Sequence, residues 1–351
     1  TYIPKLRDEE KNNVIMQISE IRTIAENFFE RIIDEFGSQA AIKRIRTPNL
    51  FKNTLELPLM ELYSTLKSLG NYVSDDEIAH ELNAYADRCT QVRLGMETFI
   101  KQKSKDYVYW IEISPRKHLT KVTLHACPID ISEILRKKVF NETSIVILTS
   151  ATLSVNGSFE YIKERLGLEN PNELLLHSPF DYKSQAMLYL PNDLPDPSTD
   201  LQEYYAKAIE ETKEIIELVS GTSCASADDD SIDIGGGTFV LFTSFDTLNI
   251  AYRYLKEKLP GITILRQGEL PRWQMLRNFK KDTKAVLLGA GTFWQGVDVP
   301  GKALECVIIF KLPFAVPDNP VAEAKMEYLA FQGKDPFVCY QIPQAIIMLK
   351  Q

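Results

Sequence analysis

Apolar residues in the first third of the chain recur at helical intervals. Val14, Ile18, Ile21, Ala25, Phe28 and Ile32 alternate steps of four and three, and Phe36-Gly37 follows as a stop. A second seam runs through Ile78, Leu82, Tyr85, Cys89, Val92, Met96 and Phe99, entered through 74-SDDE-77, which has the form of a capping box. The two seams predict long antiparallel helices packed on each other, with 54-TLELPLMELYSTLKSLG-70 between them. From Asp106 the period changes to two. Residues 107–113 and 121–127 predict a hairpin closed by 114-SPRKHLT-120, and 144-SIVILTSATL-153 predicts a strand running into a small polar loop. Proline-rich 191-PNDLPDPSTD-200 reads as a linker or hinge. Beyond it strands at 238–243, 262–266, 285–288 and 304–310 alternate with helices at 246–259 and 272–280, the arithmetic of a parallel sheet with helical crossovers. Functional loops then belong at the strand carboxyl ends, at Ser244, Gln267-Gly268, Gly289–Asp298 and Leu312-Pro313. The small and acidic residues of 220-SGTSCASADDDSIDIGGG-237 predict a mobile loop.

Composition adds boundaries to this picture. With 351 residues the chain is long for one core, and two or three domains are expected. A net charge of −8 carries no global basic signature, so a nucleic-acid surface has to be a local groove. Cys89, Cys127, Cys224, Cys306 and Cys339 lie far apart, with no C-x-x-C and no Cys/His pair at metal-ligand spacing, which predicts reduced thiols in a cytoplasmic protein and no metal site. No apolar run approaches membrane-spanning length. A start without Met and an end at 349-LKQ-351 lead to the expectation of an excised part of a longer chain.

Three stretches imitate phosphate or metal chemistry. Gly296 to Ala303 falls one residue short of G-x-x-x-x-G-K-[ST], but Pro300 has no N–H to offer a phosphate and Ala303 no hydroxyl for a metal. An apolar strand pattern follows where a helix is required. Asp34-Glu35 lies inside a helical pattern, and 76-DEIAH-80 is sufficiently explained as a helix start, so neither is a catalytic acidic box. His125 and His177 have no acid–base partner visible in sequence and read as structural.

The ordered string 149-TSATLS-154, 178-SPFDY-182, 191-PNDLPDP-197, 241-LFTSF-245, 267-QGE-269, 291-GTFWQGVDVPG-301, 311-KLPFAVPDNP-320 and 344-QAIIMLKQ-351 resembles the C-terminal portion of a DinG-type helicase, the bacterial branch of the XPD-like superfamily 2 DNA helicases. The resemblance is dense from Trp110 to Gln351; over residues 1–105 it rests on position and helicity alone. It implies an α/β fold in which a RecA-like parallel-sheet motor domain is preceded by an α-helical arch-like domain. Residues 1–105 would be the arch-like insertion and 106–190 the end of the first motor domain with motif III. Residues 191–351 would be the second motor domain, with a mobile loop at 222–237, stopping at the first residue of motif VI.

The same resemblance implies roles. Thr149, Ser150 and Thr152 would couple nucleotide state to DNA grip, while Thr243, Ser244 and Thr292 would give hydroxyls to DNA phosphates and Trp294 a stacking face. As a turn cap, Asp298 would need no further role; as isolated hydroxyls in turns, Thr292 and Ser244 would be unremarkable; and Trp294 and Phe293, either of which could offer a stacking face, could equally be core, the stronger reading for Phe293. Gly291, Gly296 and Asp298 would line the nucleotide side, with Asp298, Gln295 and Gln351 the catalytic candidates. The family usually has Glu where Gln295 stands, so a charge has become a neutral amide. The implied whole is an ATP-dependent DNA helicase moving 5′ to 3′ on single-stranded DNA with ATP and Mg²⁺. Its phosphate loop, acidic box and, in many members, a four-cysteine iron–sulfur segment lie upstream of Thr1, so this chain alone is expected to be inactive. The rival reading is a non-catalytic DNA-binding or scaffolding module derived from a helicase.

Overall fold

A computed structural model describes residues 7–116, 120–221, 235–315 and 319–351. The hairpin tip at 117–119, most of the expected mobile loop with Cys224, and 316–318 lie outside the described residues. Contacts divide the chain into two compact units. One comprises residues 1–143, 165–167 and 315–339, the other residues 144–164, 168–314 and 340–351.

In the first unit α1 (Asp8–Phe36) ends where Gly37 takes φ 86° and its N–H reaches Ile33 O at 2.7 Å. Strand β1 (Ala41–Arg44) follows, then α2 (Glu56–Tyr72) and α3 (Asp76–Lys101). The α3 cap is Asp75, whose carboxylate accepts the N–H groups of Glu77 and Ile78 at 3.2 and 3.3 Å. The two long helices do not simply pair. Leu62, Leu66 and Leu69 of α2 share one core with Val14 of α1 and Leu82 and Ala86 of α3, because α2 brings a leucine seam of its own. On α3 the predicted seam drifts off the core: Tyr85 and Val92 are exposed while Ala86 is buried, since a straight helix repeats every 3.6 residues rather than 3.5.

The hairpin forms as β2 (Tyr107–Pro115) and β3 (Thr120–Pro128), with Trp110 opposite His125. Strand β1, too short and polar to stand out in the sequence, adds to its edge and gives the antiparallel order β1-β2-β3. Tyr109, Ile111 and Ile113 pack with Phe28, Ile32 and Phe99, so the hairpin lies on the helical block. On the opposite face the His125 ring stacks on Trp110 at 4.5 Å and its Nε2 lies 3.2 Å from Glu112 Oε2, a partner thirteen residues away in sequence that only strand pairing reveals.

Short helices α4 (Ser132–Leu135), α5 (Glu160–Leu166) and α6 (Tyr182–Gln185) precede the second sheet. The strand predicted at 144–153 does not form. Among the described residues no strand pairs with it, and without a ladder the apolar side chains of 145–148 are all left exposed, Ile147 at 82%.

The second unit centres on β4 (Thr238–Phe242), β5 (Ile264–Arg266), β6 (Val286–Ala290) and β7 (Cys306–Ile309), parallel in the order β5-β6-β4-β7. Every residue of β4 and β6 is buried, as a parallel sheet covered on both faces requires. Val240, Phe242, Val286 and Leu288 face α7 (Leu201–Val219) and α8 (Phe245–Lys258). Phe239, Leu241 and Leu287 face Met275 and Phe279 of α9 (Arg272–Lys281). The fold class is thus α/β, with a four-stranded parallel sheet in the second unit.

Helix α10 (Pro320–Phe331) belongs to the first unit, and α11 (Ile342–Lys350) to the second. Two arginines at β1 hold α10 ionically: Arg44 Nη2 meets Glu327 at 2.7 Å, and Arg46 Nη2 meets Glu323 and Glu327 at 2.7 and 2.6 Å. The Arg46 guanidinium, with Arg44 beside it, holds the Glu327 carboxyl below its usual range. A folded-state value below the unfolded one stabilises fully above the ordinary carboxylate range and fades as pH falls through the lowered value. Glu327→Gln is therefore expected to lower stability by about 1 kcal/mol or less near pH 7, read as a shifted urea midpoint. The gap from the unmodified chain should close in acid; equal midpoints near pH 7 would show that the network adds nothing.

Candidate functional site

The carboxyl ends of the second sheet gather most of the residues singled out in the sequence. After β4, Thr243 is half-buried and Ser244 caps α8, its Oγ accepting the Thr247 N–H at 3.2 Å and meeting Thr247 Oγ1 at 2.9 Å. After β5, Gln267 clamps the end of β6. Its N–H donates to Leu288 O at 3.0 Å, its Oε1 accepts the Ala290 N–H at 2.6 Å, and its Nε2 lies 3.4 Å from Thr292 Oγ1.

The exit of β6 folds back on itself as a 3₁₀ turn over Gly291–Trp294. Gly289 makes room for it: a Cβ there would stand 2.6 Å from Phe293 Cβ and 3.0 Å from the Phe239 ring. Phe293 is core, as expected. Trp294 corrects its reading as a stacking face. It is 5% exposed, and its Nε1 donates to Phe242 O at 2.9 Å, so indole and hydrogen bond alike are committed to the interior.

What the turn leaves at the surface is Thr292, Gln295, Gly296 and Asp298. Gly291 and Gly296, at φ 50° and 64°, supply the left-handed steps that bring these groups out. Arg272 fastens the turn from below: its Nη2 donates to Gln295 O at 2.5 Å and Gly296 O at 3.0 Å, and its guanidinium sits 5.4 Å from the Phe293 ring centroid. Sequence reasoning passed over Arg272. The available sign was its place at the first position of a helix, where the macrodipole disfavours a cation and another partner is needed. Gly301–Ala303 forms a second 3₁₀ turn leading into β7, so no helix opens behind the Gly296–Lys302 stretch.

A second group forms around α11. Thr149 and Ser150 are exposed on an irregular segment, and Thr152 is buried with its N–H on Ser150 Oγ at 3.2 Å and the two hydroxyls 3.1 Å apart. Gln351 Nε2 donates to Thr152 Oγ1 at 3.2 Å and Lys350 Nζ to Ser154 O at 2.9 Å, while Met348 packs on the core that holds Trp294. The structure thus joins Ser150, Thr152 and Gln351 in one hydrogen-bonded chain.

At β7 the Tyr204 hydroxyl donates to Phe310 O at 2.8 Å, and burial pushes its ionisation above the usual phenol range. Apart from Asp298, the exposed groups of the β6 turn are neutral hydroxyl and amide donors and acceptors, suited to holding a phosphate backbone in register rather than to proton transfer. Among the described residues no group of three or more His, Cys, Asp or Glu side chains could hold a metal ion.

Residues 231–351 match the protein family described as the helicase C-terminal domain. Across 275 residues the chain is 34% identical to the ATP-dependent DNA helicase YoaA of Haemophilus influenzae, covering 77% of this chain and 39% of that protein. The chain is related to the DinG-type helicases. The 3′-5′ exonuclease DinG of Bacillus subtilis is 34% identical over 70% of this chain and 26% of its own length. A second Bacillus subtilis protein, named Probable ATP-dependent helicase YpvA, is 30% identical over 93% of this chain and 46% of its own length, which brings the helical block within the relationship. The chain therefore spans less than half the length of these curated relatives. The solved structure of S. cerevisiae Dbp5 bound to RNA and ADP BeF3 aligns over 41% of this chain and 37% of that one, at 18% identity and a TM-score of 0.26.

Trp294→Phe should cost about 1–3 kcal/mol, because the Phe242 carbonyl loses its donor in a buried setting. Thermal unfolding would report the loss while affinity for single-stranded DNA stays unchanged; weaker DNA binding at unchanged stability would restore the stacking role.

Proposed function

We propose that this chain is part of an ATP-dependent DNA helicase that moves along single-stranded DNA in the 5′ to 3′ direction in the cytoplasm. The observation that carries the reading is the helicase C-terminal domain at residues 231–351, whose strand carboxyl ends present Thr243, Thr292, Gln295 and Asp298 together. In this reading Thr243, Ser244 and Thr292 hold DNA phosphates, with Ser244 doing so through a hydroxyl that also caps α8. Gly291, Gly296 and Asp298 border the nucleotide. Ser150, Thr152 and Gln351 relay between nucleotide and DNA through their hydrogen-bonded chain at α11, with Thr149 exposed beside it. ATP with Mg²⁺ would supply the phosphoryl chemistry when bound.

Residues 1–105 are proposed as the arch-like insertion, and 106–190 as the end of a first motor domain. Support comes from the apolar runs at 145–148, 174–176 and 187–190, which are exposed although their composition is that of interior strands, Met187 at 94%.

Hydrolysis of ATP, with and without single-stranded DNA, is the decisive measurement, comparing these 351 residues with the product extended to its native ends. DNA-stimulated hydrolysis by the extended form alone is expected. Silence of both forms would favour the scaffolding module, and hydrolysis by the short chain would overturn the assignment of Gly296–Ala303 as a loop that cradles no phosphate. In hydrogen exchange the amides of Ile145–Leu148 and Met187–Leu190 should exchange freely in this chain and gain protection in the extended product. Free exchange in both would remove the first-motor-domain reading of this segment.

A further inference from the structure

Helix α9 carries two unlike faces, one turned to the sheet and one to solvent. Met275 and Phe279 are buried against the sheet. Trp273, Arg277, Lys280 and Lys281 fall at i, i+4, i+7 and i+8, which places them on one stripe of the helix, all exposed. Lys284 continues the tract beyond the helix end, also exposed. Trp273 is 65% exposed, an unusual place for the most costly aromatic to leave in water.

The charge of the stripe is uncompensated. Among the described residues Arg277, Lys280, Lys281 and Lys284 take part in no ion pair, and the one acid within the tract, Asp282, accepts the backbone N–H of Lys284 at 3.1 Å. Attraction to the carboxyl end of the helix explains cations at Lys280 and Lys281. It explains neither Arg277, a turn earlier, nor Trp273 near the amino end. In a chain of net charge −8, four unpaired cations beside a bare indole form a local exception that matches a polyanion with flat, stackable groups.

We propose that the outer stripe of α9 is a contact tract for single-stranded DNA, in which Arg277, Lys280, Lys281 and Lys284 follow the phosphates and Trp273 stacks on a base. It rests on the DNA-helicase reading and adds a surface that lies on the helix side of the sheet's second face, separate from the strand-end groups. Arg272 is not part of it: its guanidinium is turned to the Gln295–Gly296 carbonyls and the Phe293 ring. Nor is recognition of base sequence implied, since neither stacking nor phosphate contact reads base edges.

The test is fluorescence anisotropy of a labelled oligothymidine titrated with the 351-residue chain at several salt concentrations. Trp273→Ala should weaken binding roughly tenfold, and Trp273→Phe should recover most of the loss, because a phenyl ring also stacks. The triple change Arg277→Gln, Lys280→Gln, Lys281→Gln should flatten the dependence of log affinity on log salt by about 2, the value for three lost phosphate contacts on a single strand. All substitutions are at exposed positions, and matched thermal melts would confirm intact folding. Unchanged affinity and slope in these variants would overturn the proposal, as would failure of the unmodified chain to bind the oligonucleotide at low salt. Equal competition by poly-glutamate would also overturn it and redirect the stripe to an acidic protein. The two readings fail separately. DNA-stimulated ATP hydrolysis by the extended product with silent stripe variants removes only the stripe, whereas stripe-dependent binding without stimulated hydrolysis removes only the motor.

Discussion

Burial of β4 and β6 on both faces is the constraint from which the second unit follows. A parallel strand with no polar face has to be covered above and below. One cover is α7 with α8, against Val240, Phe242 and Leu288. The other is α9, against Phe239, Leu241 and Leu287, and at the carboxyl end of the sheet it is completed by Phe293 and Trp294 from the β6 exit itself. The turn that carries the candidate chemistry is thereby a piece of the core. Its apolar residues are anchors, its polar ones are left outside, and Gly289 is the absent side chain that lets the chain reverse so closely.

The same constraint gives physical content to the segment 144–190. Ile145–Leu148 has the residue types of β4 but no neighbouring strand among the described residues, and its backbone remains irregular. β-branched composition alone does not make a strand; a partner ladder does.

Much of the second unit was legible because both signals agreed there. Short apolar runs bounded by turns alternated with amphipathic stretches, and each observed strand from β4 to β7 lies within a stretch so marked, apart from the last two residues of β6. The helix stop at Gly37 was readable for the same local reason, and the start of α3 to within one residue: the box 74-SDDE-77 points to Ser74, while the cap is Asp75. What sequence could not supply was pairing at a distance. Strand β1 is four residues with two charges, and it exists because Arg44 and its neighbours meet the edge of β2. The partner of His125 lies on the facing strand. Trp294 shows the limit most sharply at the site. An aromatic in a polar motif is compatible with a stacking platform and with a core plug, and only the Phe242 carbonyl at 2.9 Å decides between them. Ser150, Thr152 and Gln351 were each marked, but their joining into one chain depends on where α11 docks.

Position 295 draws these strands of argument together. A carboxylate at this position, beside the main-chain oxygens that hold Arg272, would compete for its guanidinium. With Gln295 the competition is absent, and Arg272 is bound to the main-chain oxygens of residues 295 and 296. A charge-assisted bond to a carbonyl fixes backbone shape, whereas an ion pair to a side chain would leave the turn freer and the side chain less available. Arg272 thus has a positioning task, and Asp298 is the exposed carboxylate of the β6 turn.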